Sequence, residues 1–550
     1  MMKKLGYSLF ILVVCITSCT NNKVDLIVYN ATIYTVDSAF SIKQAMAIKD
    51  GRIVATGNSD DIKANYLATE NIDAKGQTIF PGFFDAHAHF LRFGESLYTA
   101  QLYGINSWDS CVAIVDRFAK ANPNETWILG RGWDQNLFAD KQYPTNSKLN
   151  QLFPNTPILL SRVDGHAAIA NNKALELAGI LKGNYKNLVG GKIELDATGK
   201  PTGLLIDNAV DLVNSKLPKP NSKVYEKWLM AAQEKCAQQG LTSITDCGLM
   251  HFEVNEIDAL QKANKLQMKL HVMLSDAKEN YDIYLKKGVY KTDKLLVNAF
   301  KIYADGALGS RGACLLKHYS DKPNWQGFLL STPKHFDSVA SVLVHTPFQM
   351  CTHAIGDSAN RLVLDIYNKY LPINNDKRWR IEHAQAVAQV DFDKFGKTKV
   401  VPSVQPTHAT SDMYWAEERL GKERLKTAYA YKQLLLQNNW LPLGTDFPVE
   451  DISPFKTFLA AVIRKDAKGF PANGFQKENA LTREEAIKGM TIWAAKAAFL
   501  DKETGSLEVG KKADFIILSN NLMNIDETKI LETKTIFTFI DGKKVYQLNN

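Results

Sequence analysis

The sequence lacks several features that would settle a function at once. It has no Gly-x-Ser-x-Gly elbow, since Gly309-Ser310-Arg311-Gly312 has the wrong spacing, so the usual seat of a serine nucleophile is excluded. It has no Gly-x-x-x-x-Gly-Lys-Ser/Thr loop to cradle phosphates. Its seven cysteines are scattered over 550 residues without a Cys-x-x-Cys pair, which argues against a disulfide framework and against a structural zinc knuckle. The formal net charge of +8 comes from dispersed lysines, such as Lys216, Lys219 and Lys223, with no dense basic block; a nucleic-acid partner is not expected. Internal repeats and low-complexity tracts are also missing.

The N-terminus reads as a targeting segment. Lys3 and Lys4 precede a mostly apolar stretch from Leu5 to Ile16 that is too short to span a bilayer comfortably. Ile16-Thr17-Ser18-Cys19 follows, which resembles a bacterial lipoprotein signal occupying residues 1–19, with Cys19 lipidated as the first mature residue. An ordinary secretory signal cleaved nearby is the alternative. The lipoprotein reading implies an exported protein anchored to a bacterial cell membrane, on the periplasmic side of the cytoplasmic membrane or on the outer membrane. Thr20 to Lys23 reads as a tether.

Residues 24–80 are β-rich, and Asp50-Gly51 joins two apolar runs as a hairpin turn. The far end, residues 500–550, has the same character and a second Asp-Gly turn at Asp541-Gly542. The two ends are expected to pair into one small β-sandwich domain. Between them, over 81–499, apolar strands alternate with helical patterns. Eight candidates are Thr78–Ala86, Leu241–Cys247, Met268–Leu274, Ala299–Ala304, Phe348–Thr352, Trp379–Glu382, Val400–Gln405 and Leu441–Thr445. The expected fold is therefore α/β, a distorted (β/α)8 TIM-like barrel whose functional groups lie at C-terminal strand ends. The roughly 150 residues between the first two candidates exceed an ordinary crossover. They are read as an insertion, 100–220, over the active site.

The chemistry concentrates in Asp85-Ala86-His87-Ala88-His89. Alternate residues of a strand share a face, so His87 and His89 can reach one metal ion. Lys301, His353, His383 and Asp446 lie at or within later apolar segments. Imidazoles plus a carboxylate form the ligand set of a hydrolytic zinc or related divalent centre. Lys301 in an apolar strand either pairs with a carboxylate such as Asp305 or is chemically altered. Asp446 is either a turn residue or a catalytic carboxylate. His166, after Pro157-Ile158-Leu159-Leu160, either polarises a substrate carbonyl or caps the insertion. Arg311 and Trp133 are candidate substrate contacts, and Asp357 and Glu382 candidate supports for the imidazoles. His251, His271, His318, His335, His345 and His408 are read as structural.

These motifs, in this order, resemble the amidohydrolase superfamily over essentially the whole mature chain. Gly505-Ser506-Leu507-Glu508-Val509-Gly510-Lys511-Lys512-Ala513-Asp514-Phe515 resembles the signature at the return from barrel to β domain. The Gly-Trp-Asp, Asp-Gly-His, Phe300-to-Gly306 and His353-to-Asp357 elements are similar to the branch containing N-substituted formamide deformylases (amidohydrolase family 3). The resemblance implies one or two divalent metals, usually Zn2+. His87 and His89 would hold the first, and His353 and His383 the second. Carboxylated Lys301 would bridge them, and Asp446 would contact the first metal and handle protons. It implies hydrolysis of a non-peptide C–N bond in a small-molecule substrate. A cyclic imide, lactone or ester substrate remains open, as do an inactive membrane-tethered solute-binding protein and a homodimer.

Overall fold

The computed structural model describes residues 22–549. The lipidation candidate Cys19 and the signal segment lie outside them. The first strand, Asn22–Tyr29, already includes the last two residues read as tether. Its inward residues Leu26 and Val28 face a core shared with Ile33, Ile79, Phe515, Ile517 and Phe539. That core lies between two sheets. One is built wholly from the N-terminal segment, with Asn22–Tyr29 antiparallel to Ala45–Lys49 and parallel to Tyr66–Asp73. The other joins the chain ends: Thr78–Pro81 pairs antiparallel with Phe515–Leu518, which pairs with Thr535–Ile540.

Both Asp-Gly turns carry positive φ at both central residues, 51° and 72° at Asp50-Gly51 and 49° and 70° at Asp541-Gly542. That is the geometry whose twist suits a two-residue hairpin. The turns abut each other, because a Cβ on Gly51 would lie 2.9 Å from the Asp541 carbonyl oxygen.

Seven parallel strands form the central sheet in spatial order Phe83–Ala88, Leu241–Leu249, Lys269–Ser275, Leu295–Tyr303, Gln349–Ala354, Arg380–His383 and Val401–Ser403. The eighth candidate, Leu441–Thr445, forms only a bridge, Val404 to Leu443, rather than a strand. It still closes the ring: Gly444 N–H donates to Val404 C=O at 3.0 Å on one side, and Ala86 N–H donates to Leu443 C=O at 3.1 Å on the other. The core is continuous from the barrel strands to the helices around them. Lys269, near the start of its strand, ties the barrel to the β domain through Asp514 and Asp541, each at 2.7 Å.

The insertion folds around a sheet of its own, six strands from Ala100–Gln101 to Pro201–Asp207, three of them parallel and the rest antiparallel. Separate apolar clusters cover its two faces. Among the described residues no helix is long and apolar enough to cross a membrane.

Candidate metal centre and active site

His87 leaves the end of the first barrel strand fully buried. Its Nδ1 lies 2.5 Å from Glu382 Oε2. Glu382 is in turn held by Arg380, whose Nε is 2.6 Å from Oε1. Arg380 also donates to the Ala86 carbonyl at 2.6 Å and to Ser403 Oγ at 2.7 Å. His89 Nδ1 donates to the Cys247 carbonyl at 2.9 Å, and His383 Nδ1 donates to Gln405 Oε1 at 2.8 Å. Each acceptor fixes the proton on Nδ1 and turns the Nε2 lone pair outward, the orientation of a metal-ligating imidazole.

Those lone pairs converge on Asp446. Its Oδ1 lies 3.5 Å from His87 Nε2 and 3.2 Å from His89 Nε2. Ligand atoms of His87, His383 and Asp446 all fall within 4.8 Å of one another. Asp446 Oδ1 is buried without a hydrogen-bond donor. An orphaned carboxylate oxygen facing lone pairs is costly unless a cation sits among them. The residues present therefore fit a divalent metal. Burial, reinforced by the Lys301 charge, pushes His87 down to about 4. Burial also holds His353 and His383 well below the usual imidazole range, so all three are neutral donors.

Asp446 owes its placement to backbone geometry. It adopts φ 64°, and its N–H donates to the His87 carbonyl at 2.8 Å. Gly444 allows the close approach, because a Cβ there would lie 2.6 Å from His87 N. Asp85 secures the same junction by accepting from Thr445 Oγ1 at 2.6 Å.

Lys301 is fully buried, with Nζ 3.1 Å from His87 Nε2. It forms no ion pair among the described residues. Asp305 is not its partner: that carboxylate accepts from the backbone N–H groups of Cys314, Ile355 and Gly356, at 2.8, 3.0 and 2.8 Å. His353 stands beside His383, ring centroids 4.5 Å apart. Asp357 does not orient an imidazole; it accepts from the Leu316 N–H at 2.8 Å and holds a loop.

His408, read from sequence as structural, belongs to the site. Its Nε2 is 3.3 Å from Asp446 Oδ2, and its Nδ1 is 3.0 Å from Glu450 Oε1. Burial alone would raise the Asp446 carboxyl, but His408 and the other imidazoles around it together outweigh burial and hold the group well below the usual carboxylate range. His408 follows Gln405-Pro406-Thr407 just past the seventh strand, and the strand-end rule applied to that position was the signal available.

The insertion roofs these groups. Tyr103, Arg131, Asp134, Arg162, Asp164 and His166 line a cavity of about 870 Å³ together with His89, Lys301, His353, His383, His408 and Asp446. His166 is 4.9 Å from the His353 ring and its Nδ1 is 2.6 Å from Asp207 Oδ1. Burial would lower His166, yet the Asp207 carboxylate raises it overall, so it is set to donate into the cavity. Asp207 was not anticipated. Gly306 and Gly312 make its niche, since a Cβ on either would lie 2.4 Å from Asp207 Oδ2.

Two expected substrate contacts are corrected. Trp133 does not wall the cavity; its indole is fully buried in the insertion core and donates to the Leu160 carbonyl at 2.7 Å. Arg311 is bound to Asp321 at 2.7 Å, and its side chain is not among those lining the cavity. Both sit in glycine-flanked segments, whose turns aim side chains in ways that spacing alone does not reveal.

A parallel barrel that gathers imidazoles around an orphaned carboxylate oxygen under a roofed cavity is the architecture of a metal-dependent hydrolase. The chain belongs to the amidohydrolase family, whose model matches residues 70–546. It is 33% identical over 539 residues to Protein LONG AFTER FAR-RED 3 of Arabidopsis thaliana, covering 95% of this chain and 91% of that one. It is 25% identical over 557 residues to the N-substituted formamide deformylase of Arthrobacter pascens, covering 95% and 98%. Among solved structures, an uncharacterized metal-dependent hydrolase from Pyrococcus horikoshii OT3 superposes with a TM-score of 0.74 at 28% identity, covering 91% of this chain and 99% of that one.

Proposed function

We propose that the protein hydrolyses a C–N bond of amide type, other than a peptide bond, in a small molecule. The observation that carries this reading is the pairing of the donor cluster with a supported proton handler. Asp446 is held at Oδ2 by His408, which Glu450 backs in turn, while its Oδ1 faces His87 and His89. An amine leaves poorly unless protonated, so amide cleavage needs a group that first takes a proton from water and then returns it to nitrogen. Asp446 is placed for both steps.

His87, His89 and His383 would hold a divalent metal, with Asp446 contacting it, and His353 and Lys301 would complete a second position. A metal bound there would acidify water to near neutrality and polarise the substrate carbonyl. Around it the chain's own groups act. His166, steadied by Asp207, donates to the carbonyl oxygen as negative charge develops there. Asp446 moves the proton, and His408 keeps its carboxylate aimed. The insertion covers part of the cavity that holds these groups.

Lys301 is proposed to be carboxylated on Nζ. A fully buried ammonium that contacts the His87 lone pair and forms no ion pair among the described residues is poorly matched to its burial, whereas a carbamate would supply anionic oxygens facing the histidines. Elemental analysis of protein lacking residues 1–19, purified without chelator, is expected to find about two metal equivalents, falling to about one or less in Lys301→Ala. One equivalent unaffected by the substitution would make the centre mononuclear and Lys301 structural.

Cys19 is proposed to anchor the protein to a bacterial membrane facing outward. Fractionation of cells expressing the full chain is expected to place it with membranes and the Cys19→Ala variant largely in the soluble fraction. Equal distribution of the two would refute the anchor.

A further inference from the structure

We propose that Arg131 is a carboxylate-binding subsite, so that the substrate carries an anionic oxygen group. The inference deepens the amidohydrolase reading and rests on it for the word substrate. Three arginines line the cavity: Arg92, Arg131 and Arg162. Arg92 is bound to Glu253 and to Glu95. Arg162 is bound to Asp134 and Asp164, each at 2.5 Å, and to Gln135 Oε1 at 2.7 Å. Arg131 forms no ion pair among the described residues. Among the described residues its side chain makes one hydrogen bond, from Nη2 to the Val163 carbonyl at 3.0 Å, and its Nε is buried without an acceptor.

A guanidinium offers five donors in a planar fork that matches a carboxylate, and leaving it half-buried with one neutral acceptor is unfavourable. The nearby acids do not satisfy it. Asp134 and Asp164 are committed to Arg162, and Asp446 acts on Arg131 only through its field. The guanidinium lies over Gly165, where a Cβ would sit 3.5 Å from Nη1 and 3.6 Å from Nη2. Gly165 directly precedes His166, whose ring is 4.9 Å from that of His353. The anion subsite is thus beside the turn that carries His166 to the metal cluster. One molecule can engage both. The rim supplies the rest of the fit: Tyr103, Leu137 and Tyr414 are exposed by 55%, 48% and 53% and line the same cavity. An apolar body with a carboxylate at one end suits this surface.

The test is binding, not turnover, so it is independent of whether any amide is cleaved. Benzoate, phenylacetate and 3-phenylpropionate are titrated calorimetrically into the metal-loaded protein alongside their carboxamide twins. At least one carboxylate is expected to bind about tenfold or more tightly than its twin, as a charge-assisted bidentate contact requires. In Arg131→Gln that preference should fall to about twofold or less, while Arg131→Lys keeps part of it; the carboxamides should bind all three proteins alike, which shows the cavity intact. No carboxylate preference in the wild type would overturn the proposal. So would a preference that survives Arg131→Gln, because the metal or Lys301 would then be the anion's seat. Failure to hydrolyse any amide while the Arg131-dependent preference holds would instead count against the amidohydrolase reading alone.

Discussion

Asp446→Asn is expected to lower kcat by about 10²- to 10⁴-fold, the range of a lost general acid–base group, while metal content stays close to that of the wild type. The asparagine is nearly isosteric and its carbonyl oxygen can occupy the position of Oδ1 among the imidazoles. Its amide nitrogen then faces His408, where the carboxylate had accepted a hydrogen bond at 3.3 Å. What disappears is the capacity to take a proton from water and hand it to the leaving nitrogen. Kinetics on a substrate found by an amide screen, with elemental analysis on the same preparations, separates the possibilities. If metal and activity fall together, Asp446 is mainly a ligand.

Glu382→Gln is expected to have the largest effect on stability, about 3–5 kcal/mol, the usual result of removing one partner from a buried pair. Glu382 and Arg380 are both fully buried, and the substitution leaves the guanidinium without a countercharge and presents an amide N–H to the His87 Nδ1–H. Misorientation of His87 should also weaken metal binding by about 10- to 100-fold. Urea denaturation of chelated protein isolates the first effect from the second. The pH dependence has a definite sign. Burial opposes ionisation of Glu382, but Arg380 and His87 outweigh it and hold its carboxyl well below the ordinary 4.5. A depressed folded-state pKa gives stability that is full above the unfolded value and lost as pH falls through the folded one. The gap between wild type and Glu382→Gln should therefore be complete at neutral pH and shrink only in acid below about 4.5. A gap that is constant into strong acid would mean that packing, not charge, is responsible.

The parts of the site legible in the sequence are those whose meaning is local. His87 and His89 share a face by strand alternation, and His383 and Asp446 stand at the ends of apolar segments. The eight segments were also legible, although Leu441–Thr445 closes the barrel through a bridge and a few hydrogen bonds rather than a strand. The unread parts depend on contacts between distant segments. Asp207 supports His166 across 41 residues, and His408 grips an aspartate beyond an intervening helical stretch. Trp133 and Arg311 were misplaced for the same reason: which face of a turn a side chain takes is decided by its tertiary neighbours, Leu160 and Asp321.

The strand Thr78–Pro81 hydrogen-bonds to Phe515–Leu518, more than four hundred residues later. The β domain is complete only once that late strand has been made, so during synthesis the strand Thr78–Pro81 waits with an unpaired edge while the barrel folds behind it. Contacts of such sequence separation slow folding and leave early segments open to wrong pairing. The catalytic barrel thus sits as a long excursion within a small two-sheet unit that holds both the first and the last described strands, and losing only the final strands would unclasp a domain at the opposite end of the chain.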